Sequence, residues 1–125
     1  MNLSEISEVT AAAEKAGSFC RERGGSEQES NRIALCVEEM AANVISHGFA
    51  EGGTNHLSVL ILNKPEQWVL RFRDDCAAFD PVRYVPQEKE QAIGIRLVMG
   101  ITEEAYYSYP MGLNNLVLKV RKNRE

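Results

Sequence analysis

Apolar residues recur at helical spacing in the first part of the chain and alternate with polar ones in the later part. Leu3, Ile6, Val9, Ala13, Ala16, Phe19 and Cys20 share one helical face, which predicts a helix over 3–23. Ser4, Ser7 and Thr10 could each cap it, and Gly24–Gly25 stops it. Ser26, with Glu29 three residues on, opens a second helix over 27–47. Its apolar stripe is Ile33, Val37, Met40 and Val44, flanked by Cys36 and Ala41, and Gly48 ends it.

The period then changes from 3.6 to 2. Leu57, Val59 and Ile61 predict a strand over 55–62, and Trp68, Leu70 and Phe72 another over 67–73. The turn Asn63-Lys64-Pro65-Glu66 makes the pair an antiparallel hairpin. Residues 74–91 have no clear period, which predicts a long functional loop acting as a lid. Ile93, Leu97, Val98 and Ile101 predict a short third helix. Strands are expected over 104–109 and 113–120. Helices and strands segregate in this order, so the expected fold is α+β: a two-layer sandwich, helices on one face of a mostly antiparallel sheet. The 125 residues read as one domain, 1–125.

Charge and cysteines narrow the class. The net charge is −4, and only Lys119, Arg121, Lys122 and Arg124 cluster, so nucleic acid is not the expected partner. No apolar run is long enough to span a bilayer, and the acidic opening segment does not read as a secretory signal. The expected compartment is the cytoplasm. Cys20, Cys36 and Cys76 form no C-x-x-C pair. Cys20 and Cys36 read as small core residues, whereas Cys76 falls in a loop.

The chemistry concentrates in three places. Glu39, Asn43 and His47 are spaced four apart on the second helix, so they form one polar line. A carboxylate there can polarise a hydroxyl, and an amide oxygen suits a hard ion such as Mg²⁺. Arg73-Asp74-Asp75-Cys76-Ala77-Ala78-Phe79-Asp80-Pro81 leaves a carboxylate at a strand end, followed by small residues that let a flat ring approach. Such a carboxylate can accept from an exocyclic amine. Gly94, Ile95, Arg96 and Leu97 read as a helix start whose backbone N–H groups could meet phosphate. No spacing supports a Cys–His hydrolase pairing Cys76 with His47 or His56.

In this order and spacing the three segments resemble the GHKL (Bergerat) ATPase superfamily, and within it the anti-sigma-factor serine/threonine kinase family. The resemblance covers nearly the whole chain. Glu39-x-x-x-Asn43-x-x-x-His47 resembles the N box, which implies Glu39 as catalytic base, Asn43 as the Mg²⁺ ligand and His47 as a nucleotide-binding residue. The segment from Asp74 resembles the G1 box, which implies Asp74 as the adenine-binding aspartate. Gly94, Ile95, Arg96 and Leu97 resemble the G2 box and would hold phosphates. Cys76 and Ala78 stand where that family has glycines, so side chains should narrow the adenine space and strain any positive φ. The family's opening strand has no expected counterpart before Leu3. The resemblance implies the cofactors ATP and Mg²⁺ and a protein partner, an anti-sigma-factor antagonist, a sigma factor or both. Members of the family are often homodimers. Two alternatives stay open: a regulatory module without catalysis, motivated by the altered G1 segment, and a histidine-kinase catalytic domain, whose acceptor histidine the first helix lacks.

Overall fold

The computed structural model describes residues 1–83 and 90–123. Part of the expected lid, 84–89, and Arg124 of the basic cluster lie outside the described residues. The elements run β1 (Asn2–Leu3), α1 (Val9–Glu22), α2 (Glu27–Asn43), β2 (Leu57–Asn63), β3 (Gln67–Asp74), α3 (Glu90–Ile101), β4 (Glu104–Ser108) and β5 (Asn114–Arg121). The strands form one sheet in the order β1-β2-β3-β5-β4, with every neighbouring pair antiparallel. The three helices pack on one of its faces, as the segregated periods predict.

The helix faces follow from side-chain size. Ala12, Ala13, Ala16, Gly17 and Cys20 line the buried side of α1. A Cβ on Gly17 would stand 3.5 Å from the Ser30 carbonyl, so α1 and α2 lie in close contact. Ile33, Cys36, Val37, Met40 and Ala41 then meet Leu57, Val59, Trp68, Leu70, Phe72, Leu116, Leu118 and Val120 from the sheet in one apolar core. Burying each large side chain stabilises the fold by about 1.5–3 kcal/mol.

Four expectations change. The opening strand is present: Asn2 and Leu3 pair with Ser58 and Leu57, and Leu3 is buried. Two residues suffice because the Leu3 side chain anchors them in the core. No hydroxyl caps the first helix; its 3₁₀ entry, Ile6–Glu8, is closed by the Glu8 carboxylate, which accepts the Ser4 and Glu5 amides at 2.9 Å. The second helix does not run to 47 as an α-helix. Its last turn, Val44–Gly48, is a π-turn closed by Phe49 N–H on the Val44 carbonyl at 3.1 Å. Finally, α3 starts at Glu90 and turns Ile95 and Val98 inward, leaving Ile93 and Leu97 exposed.

Candidate functional site

Antiparallel pairing places Asp74, the last residue of β3, directly opposite Asn114, the first of β5. Both are on the core face at one end of the sheet, below the C-terminal end of α2. Between helix and strand ends lies a cavity of about 250 Å³. Met40, Val44, Phe72, Leu116 and Pro81 make most of its wall apolar, while Asn43, Asp74, Tyr107 and Asn114 bring polar groups into it. An apolar slot with a few convergent polar groups is the usual form of a small-molecule site, and this one falls just under the roughly 300–1,000 Å³ range of such pockets.

Asn114 organises the loop after Asp74. Its Nδ2 donates to Asp74 Oδ1 at 2.8 Å and to the carbonyls of Ala77 at 3.0 Å and Cys76 at 3.2 Å. Its Oδ1 accepts from the Phe79 amide at 3.0 Å and from the Tyr107 hydroxyl. Acceptors on the nitrogen side and donors on the oxygen side fix which way the amide points. Asp74 Oδ1 also accepts the Cys76 amide at 3.0 Å. These bonds to Asp74 fall on one oxygen of a carboxylate that is only 6% exposed and lines the slot.

The neighbouring Asp75 does different work. It is exposed and accepts Asn55 Nδ2 and the His56 amide, both at 3.0 Å, tying the entry of β2 to the exit of β3. Those bonds, the Asn55 one first, hold its carboxyl below the ordinary range.

Neither replaced glycine position is strained. Among the described residues the only non-glycine positive φ is at Met111, so Cys76 and Ala78 sit in ordinary backbone conformations. The expected strain is therefore absent. The Cys76 side chain packs toward the π-turn: a Cβ on Gly48 would stand 3.1 Å from its sulfur. Burial, helped by the Asp74 carboxylate, pushes the Cys76 thiol up to about 12, so it is no nucleophile at neutral pH.

Of the residues singled out in the sequence, Asn43, His47, Asp74, Cys76 and Ala78 share the cavity wall. Asn43 is buried, whereas His47 is exposed, because the π-turn winds more loosely than an α-turn and carries it off the direct line. Glu39 lies one turn before Asn43, outside that wall, where α2 meets α3. A Cβ on Gly94 would come 2.7 Å from Glu39 Oε2, so glycine is what allows the carboxylate to lie against α3. The reading of Gly94–Leu97 as a helix start is corrected: four residues precede Gly94 in α3, and its amides belong to the helical ladder. Ile95 faces the core, and Arg96 and Leu97 face outward.

The family model for the histidine kinase-like ATPase domain matches residues 3–120. The chain belongs to this family. The ATPase domain also resembles solved structures. With the Erythrobacter litoralis EL346 blue-light activated histidine kinase it shares 16% identity at a TM-score of 0.64, over 91% of this chain and 42% of that one. With the Acinetobacter baumannii histidine kinase AdeS the values are 13% and 0.59, over 99% and 68%. With the catalytic domain of histidine kinase ThkA they are 9% and 0.60, over 100% and 98%. The chain thus spans about two-fifths of the length of the blue-light kinase. At these identities the likeness is one of fold. No curated protein matches the chain.

Membership implies nucleotide binding, and the residues fit. The slot offers a largely apolar space with a buried carboxylate in its wall. Among the described residues no group of three His, Cys, Asp or Glu side chains could hold a metal. An ion at Asn43 would therefore take most of its oxygen ligands from phosphate and water, as Mg²⁺ commonly does. No helix of the described residues is long and apolar enough to cross a membrane.

Proposed function

We propose that this domain binds ATP with Mg²⁺ and phosphorylates a serine or threonine on a partner protein, as an anti-sigma-factor type kinase of the cytoplasm. The observation that carries the nucleotide reading is the pair Asp74 and Asn43, buried polar residues on the strand and helix walls of one apolar slot. Asp74 would accept the exocyclic amine of adenine. The Asn43 oxygen would hold Mg²⁺, whose charge would neutralise the phosphates. Glu39, one turn further along α2, would orient the attacking hydroxyl and take its proton as the γ-phosphoryl group moves to the oxygen and ADP leaves. Positioning and charge stabilisation supply most of the rate in such transfers. The partner would be an anti-sigma-factor antagonist, with a sigma factor as a second one.

A calorimetric titration with ATP–Mg²⁺ tests the binding step. The parent chain should bind, and Asn43→Ala should bind more weakly; a parent that takes up no heat with ATP ends the proposal. Transfer from labelled ATP to a co-encoded antagonist, abolished by Glu39→Gln, tests the kinase step. A second reading rests on Cys76 and Ala78 in the G1 position: a regulatory module that binds nucleotide or partner without transfer. Tight nucleotide binding with no labelled product selects it.

A further inference from the structure

The face of the sheet turned away from the helices carries its own pattern. Strand register aligns it in rows. Ser58, Arg73, Asn115 and Ser108 form a polar row, and Leu60, Arg71, Val117 and Tyr106 the next. Leu62, Val69, Lys119 and Glu104 form the third. Lys119 is paired with Glu104 at 3.3 Å. Arg71 and Arg73 have no ion pair among the described residues, although they stand on one face of one strand. Arg73 Nε and Asn115 Oδ1, directly opposite each other in the register, are both buried without a hydrogen-bond partner. Beside them Leu60, Leu62 and Tyr106 are 38%, 37% and 53% exposed. Two unneutralised guanidinium groups, two unsatisfied polar atoms and exposed apolar side chains lie together on a chain of net charge −4.

We propose that this face is a docking surface for an acidic amphipathic helix of a partner protein. The charge selects carboxylates. Spacing selects a helix: Arg71 and Arg73 are about 7 Å apart along the strand, and carboxylates at i and i+4 rise by about 6 Å. Size points the same way. Four strands at about 4.8 Å spacing and rows about 7 Å apart give a face of about 300 Å². That seats one helix about 10 Å wide, and falls short of the roughly 800 Å² per partner typical of a stable protein–protein interface. A second copy would also bring Arg71 and Arg73 against the same positive face, so any homodimer of this chain would use another surface. The inference does not depend on ATP binding.

The probe is a fluorescent synthetic peptide of glutamate and leucine at helical spacing, with its lysine–leucine counterpart as control. Anisotropy with the full chain should show binding of the acidic peptide alone, weakening as salt rises. Arg71→Gln combined with Arg73→Gln should weaken it by roughly tenfold or more. Leu60→Glu and Tyr106→Glu, at exposed positions, should weaken it similarly while circular dichroism stays unchanged. Failure of the parent to bind the acidic peptide, or equal binding by the variants, overturns the proposal. So does a dimer in sedimentation that Leu60→Glu dissociates, which would give the face to a second copy. Binding to phosphatidylserine vesicles in place of the peptide would give it to a lipid surface.

Discussion

Two buried carboxylates, Glu29 and Asp74, sit on the core side of the same sheet, 4% and 6% exposed, and they do opposite things. Glu29 is saturated. One oxygen accepts Trp68 Nε1 at 2.7 Å and the other the Asn123 amide at 2.8 Å. Burial alone would push its carboxyl up, but the bonds from Trp68 and Asn123 outweigh this and hold it below the ordinary range. Lys122 stacks over the Trp68 ring 4.5 Å from its centre, and Ser26 caps α2 beside it, so the corner locks the chain end to the helix start. Around Asp74 the bonds gather on one oxygen and a cavity opens beside it. A buried carboxylate with both oxygens bonded to the protein is architecture. One whose backbone and amide bonds gather on a single oxygen beside a slot is placed to accept from a ligand.

The strongest way to break the saturated corner is Trp68→Ala. It removes the largest core side chain and a donor to Glu29, and should lower stability by about 3–5 kcal/mol in urea unfolding. The sharpest test of the contrast is Asp74→Asn. The variant's amide oxygen can keep the Oδ1 bonds while its NH₂ confronts the incoming amine. Nucleotide affinity should fall roughly 10- to 100-fold by calorimetry, with little change in melting temperature. Glu29→Gln should show the reverse: a loss of about 1–3 kcal/mol in stability with nucleotide affinity intact. If both variants lose binding and stability together, the distinction between the two corners fails.

The smallest effect is in pH. The Glu29 carboxyl has a lower pKa folded than its ordinary value of 4.5, so its contribution is complete above that value. It disappears as pH falls through the folded-state pKa, where both states are protonated. Melting curves from pH 6 down to about 3 should therefore fall more steeply for the parent than for Glu29→Gln, whose amide does not titrate. Parallel curves would remove Glu29 from the acid response.

Local pattern reached far in this chain. Period 3.6 and period 2 placed α2 and the four longer strands to within a few residues, because each buries one face and must alternate accordingly; the first helix, expected from residue 3, begins only at Val9, after the strand at Leu3 and a 3₁₀ turn. The order of motifs also reached the GHKL superfamily, which the histidine kinase-like ATPase match over 3–120 supports. The two-residue β1 was illegible because a strand that short has no period, only an anchor at Leu3. The π-turn was illegible because Val44–Gly48 keeps helical composition while changing its hydrogen bonds.

The sequence by itself determined the layers, the core stripe of α2 and the carboxylate at the end of β3, since these depend on neighbours in the chain. Only the tertiary structure decided that Asn114 and Tyr107 pin the loop after Asp74, that Gly94 makes room for Glu39, and that Glu29 serves Trp68. The pairs Glu29–Trp68, Asp74–Asn114 and Glu39–Gly94 are brought together by strand register or helix packing across 39 to 55 residues of chain, and no local period encodes such a meeting.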